Sequence, residues 1–230
     1  MFLPLHDQNP LRVIPFQIVT FSLILLCVGV FLYQQYLPDE QGQALVVSFG
    51  MLPAVLFDHR QLAPELVVLP AELTLLSSIF LHGGWLHLIG NMAFLWVFGD
   101  NVEDSMGHWR FLLFYCACGM FASFTHALVE VDSITPLIGA SGGVSGVLGA
   151  YLMLHPRVRI ILLVFLKLPL LLPAYLMIGF WVGLQVFNIV FAGDGNTAWW
   201  AHIGGFITGA VMIPFFKRSS VPLFDRGVQH

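Results

Sequence analysis

The stretch Gly139-Ala140-Ser141-Gly142-Gly143-Val144-Ser145-Gly146-Val147-Leu148-Gly149-Ala150-Tyr151-Leu152-Met153-Leu154-His155 is apolar, rich in small residues and stopped by Pro156. Its hydrophobic residues follow no two-residue alternation, and glycine recurs at the three- and four-residue steps that line one face of a helix. In water such a segment would be a weak helix. In hydrocarbon, small residues let helices approach closely, and a serine there is expensive unless it is paired or wet. The segment therefore reads as a short membrane helix over 141–155 with a serine at its amino end.

The rest of the chain agrees with that reading. Of 230 residues 58% are hydrophobic and 10% charged, and the mean hydropathy is +0.85, far outside the range of ordinary soluble domains. Punctuating the hydropathy with Pro, Gly and charge predicts six helices, near 13–36, 80–99, 109–129, 141–155, 171–192 and 200–216. The fold class is all-α, a polytopic bundle of six transmembrane helices. Three parts are expected: a cytoplasmic segment 1–12, a membrane domain 13–216, and a cytoplasmic tail 217–230. Within the domain, 37–79 is too apolar for a plain linker and reads as a structured interfacial loop with helical pieces. Residues 13–36 exceed a signal-peptide core and lack a small-residue cleavage site, so they read as a retained span.

An even number of spans puts both termini on one side. Placing them inside makes Arg12, Arg110, Arg157, Arg159, Lys167, Lys217, Arg218 and Arg226 cytoplasmic and leaves Arg60 as the exception. The net charge of −4, without a Lys/Arg run, excludes nucleic-acid binding. Cys27, Cys116 and Cys118 all fall in apolar runs, which suits packing rather than a disulfide framework.

Three polar clusters interrupt the hydrophobic pattern: His82 to Asn91, Gly139 to Gly146, and Ala201-His202-Ile203-Gly204-Gly205. Ser141 lies sixteen residues before Arg157, and His202 sixteen before Arg218. At about 1.5 Å per residue each interval is about 24 Å, short of the ~30 Å hydrocarbon thickness. Both helices run inward, so serine and histidine fall at matching depth below the outer surface. Ser145 is the rival nucleophile in a second Gly-x-Ser-Gly, but it sits about 6 Å deeper by helical rise and lacks the free N–H groups of a helix amino end.

Histidine is suited to take a proton from Ser141 and return it to a leaving amine. No acidic residue stands in a span where it would orient the ring, so a dyad is predicted rather than a triad. Gly205 and Gly209, at i+3 and i+7 from His202, offer a small-residue face for close helix approach. His87 and Asn91, four apart on one helix face, present donors for a developing oxyanion. Alone, each has a bland reading: small residues line interfaces, and lone histidines or asparagines are often interhelical hydrogen-bond partners. His126 and His155 keep that reading, and Glu103 with Arg110 reads as a structural cluster.

At these residues the chain resembles the rhomboid intramembrane serine proteases. His-x-x-x-Asn stands at 87–91, Gly-x-Ser-Gly at 139–142 followed by Gly-Val-Leu-Gly-Ala-Tyr, and Ala-His-x-Gly-Gly-x-x-x-Gly at 201–209. The order is the family's, and the likeness covers about residues 75 to 215 of this chain. The resemblance implies hydrolysis of peptide bonds in or near transmembrane segments of membrane-protein substrates, without cofactor or metal. It implies Ser141 as nucleophile, His202 as general base, and His87, Asn91 and the Ser141 amide as oxyanion hole. Substrate would enter near Phe180, Trp181, Gln185 and residues 193–200. Where the family often has an aromatic ring against the catalytic histidine this chain has Ser145, which predicts weaker or more pH-sensitive activity unless the Ser145 hydroxyl supports His202. The partners expected are such substrates and the lipid bilayer, with no nucleic acid and no metal. A bacterial cytoplasmic membrane is the expected location.

Two other functions compete. A client-binding relative without catalysis would typically lack the serine or the histidine. A transporter or metal carrier lined by His82, His87 and His202 would want intramembrane carboxylates, and a zinc protease would want a His-Glu-x-x-His motif; neither is present.

Overall fold

A computed structural model describes residues 2–165, 167–191 and 198–225. Its elements run β1 (Phe2–Asp7), α1 (Ile18–Tyr36), α2 (Asp39–Phe49), α3 (Pro53–Leu56), α4 (Thr74–Ser77), α5 (Trp85–Met106), α6 (His108–Val129), α7 (Ser141–Leu154), β2 (Arg159–Val164), β3 (Leu168–Pro173), α8 (Ala174–Phe191) and α9 (Trp199–Phe216). Among the described residues α1, α6, α8 and α9 are each long and apolar enough to cross a membrane. The segment Ala71–Phe80 and α5, bent by 83°, make a fifth such span if taken together, and α7 is a shorter apolar helix. The chain is an integral membrane protein built as a helical bundle.

The first span starts at Ile18, not at 13, because Pro15 interrupts the chain and the preceding N–H groups are used elsewhere. Asp104 accepts from the backbone N–H of Arg12, Val13 and Ile14 at 2.9, 2.8 and 2.7 Å. Glu103 then caps α1 from another helix, accepting from the N–H of Val19 and Thr20 and from Thr20 Oγ1 at 3.0, 2.8 and 2.7 Å. A carboxylate at a helix amino end satisfies orphan donors and meets the positive end of the dipole. Glu103 also takes His108 Nδ1 at 2.5 Å, so its partner is His108 where Arg110 was expected. With these carboxylates satisfied, α5 continues to Met106, past the 99 that the charges suggest.

The segment 37–79 consists of α2, α3, α4 and three 3-10 turns, Pro64–Leu66, Ala71–Leu73 and Ser78–Phe80. It reaches the segment leading into α7 through a bridge between Met51 and Leu137 and the Gly139 N–H donating to Ser78 C=O at 3.0 Å.

The helical reading of the sequence left out a sheet. β1, β2 and β3 form an antiparallel three-stranded sheet in that order. The sheet takes residues 171–173 from the predicted fifth helix, which starts at Ala174. Pro169 and Pro173 deny helix to that stretch, while Ile160, Ile161 and Val164 favour strand.

The centre of the bundle is α7. Every residue from Gly142 to Tyr151 is buried. Toward its carboxyl end Tyr151 stacks edge-on against Phe98 of α5, centroids 4.9 Å apart, and its hydroxyl donates to Asp7 of β1 at 2.6 Å. The carboxyl ends of α5, α7 and α9 meet the N-terminal segment there: Arg218 N–H donates to Ser105 C=O, Phe224 N–H to Met153 C=O, and Arg12 pairs with Asp225. Both described termini therefore lie at one end of the bundle.

Candidate active site

Ser141 is the first residue of α7, so its N–H and those of Gly142 and Gly143 precede the first intrahelical donor, Val144, which bonds Ala140 C=O at 2.9 Å. The approach is Gly139, at φ 128°, where no side chain fits. A Cβ there would stand 2.7 Å from His87 Nε2 and 3.8 Å from Ser141 Oγ. The His87 ring of α5 and the Ser141 hydroxyl thus border the same small volume.

His202 lies in the first turn of α9. Gly205, one turn further, has its Cα against Gly142 C=O, and Gly209 is against Gly146 C=O, in both cases so closely that a Cβ would overlap the partner backbone. The four-residue step is the same on each helix, so α7 and α9 run parallel and in register. Gly142 follows Ser141 directly, and His202 stands three residues before Gly205, so both lie within a turn of this contact. Thr125 of α6 fills the space over Gly204. Gly205 and Gly209 are therefore where the backbones of the two helices meet.

The ring of His202 is held on several sides. Its Nδ1 lies 2.8 Å from Gln185 Oε1 of α8, and the rings of Trp181 and Trp199 lie against it with centroids at 5.8 and 6.0 Å. An amide oxygen can only accept, so Nδ1 carries the proton and Nε2 presents its lone pair. Among the described residues no hydrogen bond joins Ser141 Oγ to His202; the pair is set by helix packing.

His87 Nδ1 accepts from Gly83 N–H at 3.4 Å, a long bond that leaves Nε2 as the protonated nitrogen, on the side of Gly139. Asn91 is buried, and its amide nitrogen donates to His87 C=O at 3.1 Å, keeping one of its two hydrogens unspent. His82 packs edge-on against His87 at 5.2 Å.

Two expectations change here. The Ser145 hydroxyl does not support His202: it donates to Ser141 C=O at 2.6 Å and is buried inside α7. The aromatic support comes from α8 and α9 instead. Gln185, read from sequence as part of an entry face, is also the partner of the histidine. Its signal was available as a polar residue in an apolar helix, but its direction was not. Residues 192–197, which hold most of the expected entry loop and Asp194, lie outside the described residues, as does Arg226. No group of three metal-ligating side chains occurs among the described residues.

This arrangement defines a class: a helical membrane bundle with a hydroxyl, imidazoles and backbone and amide donors gathered at the amino ends of α5, α7 and α9. The family model of the Rhomboid domain matches residues 70–219, well over half of the chain, and the protein belongs to the rhomboid family. It is similar to Rhomboid protease GluP of Bacillus subtilis, 37% identical over 153 residues, covering 66% of this chain and 27% of that one. To Rhomboid protein 1, mitochondrial, of Saccharomyces cerevisiae it is 29% identical over 151 residues, covering 61% and 41%. To RHOMBOID-like protein 5 of Arabidopsis thaliana it is 38% identical over 78 residues, covering 34% and 25%. The chain spans less than half the length of these relatives.

Proposed function

We propose that this chain is an intramembrane serine endopeptidase that hydrolyses peptide bonds in or near the transmembrane segments of membrane-protein substrates through a Ser141–His202 dyad. The observation that carries the reading is the contact of Gly205 with the Gly142 carbonyl, which supports placing the serine one residue from the point where α7 meets α9.

In the mechanism, Ser141 Oγ attacks the scissile carbonyl carbon while His202 Nε2 takes its proton. The carbonyl oxygen becomes an oxyanion, stabilised by the Ser141 N–H at the helix amino end, His87 Nε2–H and the free Asn91 N–H. Collapse expels the amine, which receives the proton from His202. Water, deprotonated by His202, then releases the acyl group and regenerates Ser141. The chemistry uses side chains and backbone N–H groups, without cofactor or metal. A helical substrate must unwind before its carbonyls can be reached, because helical carbonyls in hydrocarbon are already hydrogen-bonded. Entry beside α8 belongs to the same reading: Phe180 is exposed there, while Trp181 and Gln185 turn to His202.

The reading includes 13–216 as the membrane domain, both termini cytoplasmic, and a bacterial cytoplasmic membrane as its site. Cleavage of a fluorescent single-span substrate in liposomes tests the activity. Ser141→Ala and His202→Ala should each abolish cleavage, and Ser145→Ala should retain it. A wild-type protein that cuts no member of a broad substrate panel, and whose Ser141 never reacts with a fluorophosphonate probe, would instead be a client-binding relative.

A further inference from the structure

We infer that Gln185 is a positioning residue for His202, so that the working unit is Ser141, His202 and Gln185. This rests on the dyad proposed above. The amide's direction follows from its second partner. Gln185 Nε2 donates to the Trp181 carbonyl at 2.9 Å, one turn back on the same helix, which turns Oε1 to His202 Nδ1 at 2.8 Å. The flipped amide would place its oxygen against the Trp181 carbonyl, acceptor facing acceptor, and its NH2 against Nδ1. The bonded orientation therefore holds His202 as the Nδ1–H tautomer, with Nε2 free to accept the serine proton. When the ring is protonated, Nδ1–H keeps the same acceptor.

Gln185 is 4% exposed and, among the described residues, is the one buried position of α8 beyond Ile178. The neighbours Val186, Phe187, Val190 and Phe191 are exposed. The outer half of α8 is thus seated on the bundle at the amide, with the Trp181 ring, four residues earlier and on the same face, against the imidazole. A group whose side chain is buried for packing alone would be as well served by leucine. The amide answers instead to the ring nitrogen, since a buried N–H left without an acceptor keeps its full desolvation cost. One consequence is that seating α8 and orienting the base are a single event.

The test uses full-length protein in liposomes with the same single-span substrate, measuring kcat and KM across pH for wild type, Gln185→Leu, Gln185→Glu, Ser141→Ala and His202→Ala. A lost orienting partner typically costs about 10- to 100-fold. Gln185→Leu should lose kcat by about that factor at unchanged KM, with thermal stability near wild type. Gln185→Glu, which retains an acceptor, should recover most of the rate and move the acid limb of the pH–rate profile upward, because a carboxylate favours the imidazolium. A Leu variant at wild-type kcat, or a Glu variant no better than Leu and without a shifted acid limb, overturns the positioning role. If Ser141→Ala and His202→Ala themselves still cut, the dyad fails, and the Gln185 inference fails with it.

Discussion

Gly139 borders the site at a point with no room for a side chain. Its φ of 128° is strained for any L side chain, and a Cβ would come 2.6 Å from His87 Cε1. Gly139→Ala should therefore displace either His87 or the first turn of α7, and a displacement on the order of 1 Å is enough to cost about 100-fold in rate. We expect kcat to fall by about that factor while the protein still inserts and purifies. Gly84→Ala is the control: Gly84 is extended at φ 164°, and a Cβ there meets nothing within 4 Å. Equal activities of the two variants would show that Gly139 leaves room after all.

At the scale of elements, the attachment of the N-terminal strand depends on the protonation of Asp7. Asp7, 4% exposed, accepts from Tyr151 OH at 2.6 Å and Asn101 Nδ2 at 3.0 Å. Burial nevertheless pushes its carboxyl up to about 6, the Tyr151 hydrogen bond offsetting part of the effect. The folded state then holds the proton more tightly than the unfolded chain does. Its stability is greatest below about pH 4 and declines as pH rises to about 6 and beyond, by on the order of 2 to 3 kcal/mol at about 1.4 kcal/mol per unit. Hydrogen-exchange protection of the β1 amides, corrected for intrinsic rates, should accordingly fall between about pH 4 and 6.5. Asp7→Asn should flatten that dependence. A flat profile in the wild type would remove the carboxyl from this role. Because Tyr151 belongs to α7, the strand is tied to the inner end of the same helix that presents Ser141 at its outer end.

For the molecule as a whole, the meeting of the carboxyl ends of α5, α7 and α9 with the N-terminal segment puts both described termini on one face, and the proposed orientation, which rests on the arginine and lysine distribution, has that face in the cytoplasm. Single cysteines introduced at exposed positions, in a background free of Cys27, Cys116 and Cys118, should report it. Asp58→Cys should react with a membrane-impermeant maleimide in intact cells, and Phe224→Cys only after permeabilisation. The opposite pattern would invert the proposed orientation and put substrate entry on the other side.

Some of this was written in the sequence because it is local or periodic. The apolar helices, the place of Ser141 and His202 in the first turns of α7 and α9, and the small-residue step through Gly205 and Gly209 are consequences of helical periodicity and side-chain size. The charged segment Asp100–Asp104, which looks like a helix end, is carried inside α5 because Glu103 and Asp104 find backbone donors from a segment about ninety residues earlier. The strand pairing of β1 with β2 joins residues 2–7 to 159–164, and no window of sequence contains both. The same holds for Gln185, Trp181 and Trp199 around His202: their identities are visible, but which ring faces the imidazole and which way the amide turns depend on the packing of α8 beside α9. Rise and hydropathy act along the chain, whereas the satisfaction of buried donors and acceptors acts across it. The place of Ser141 and His202 at helix amino ends therefore follows from the chain alone, and the group that meets the His202 ring nitrogen follows from the fold.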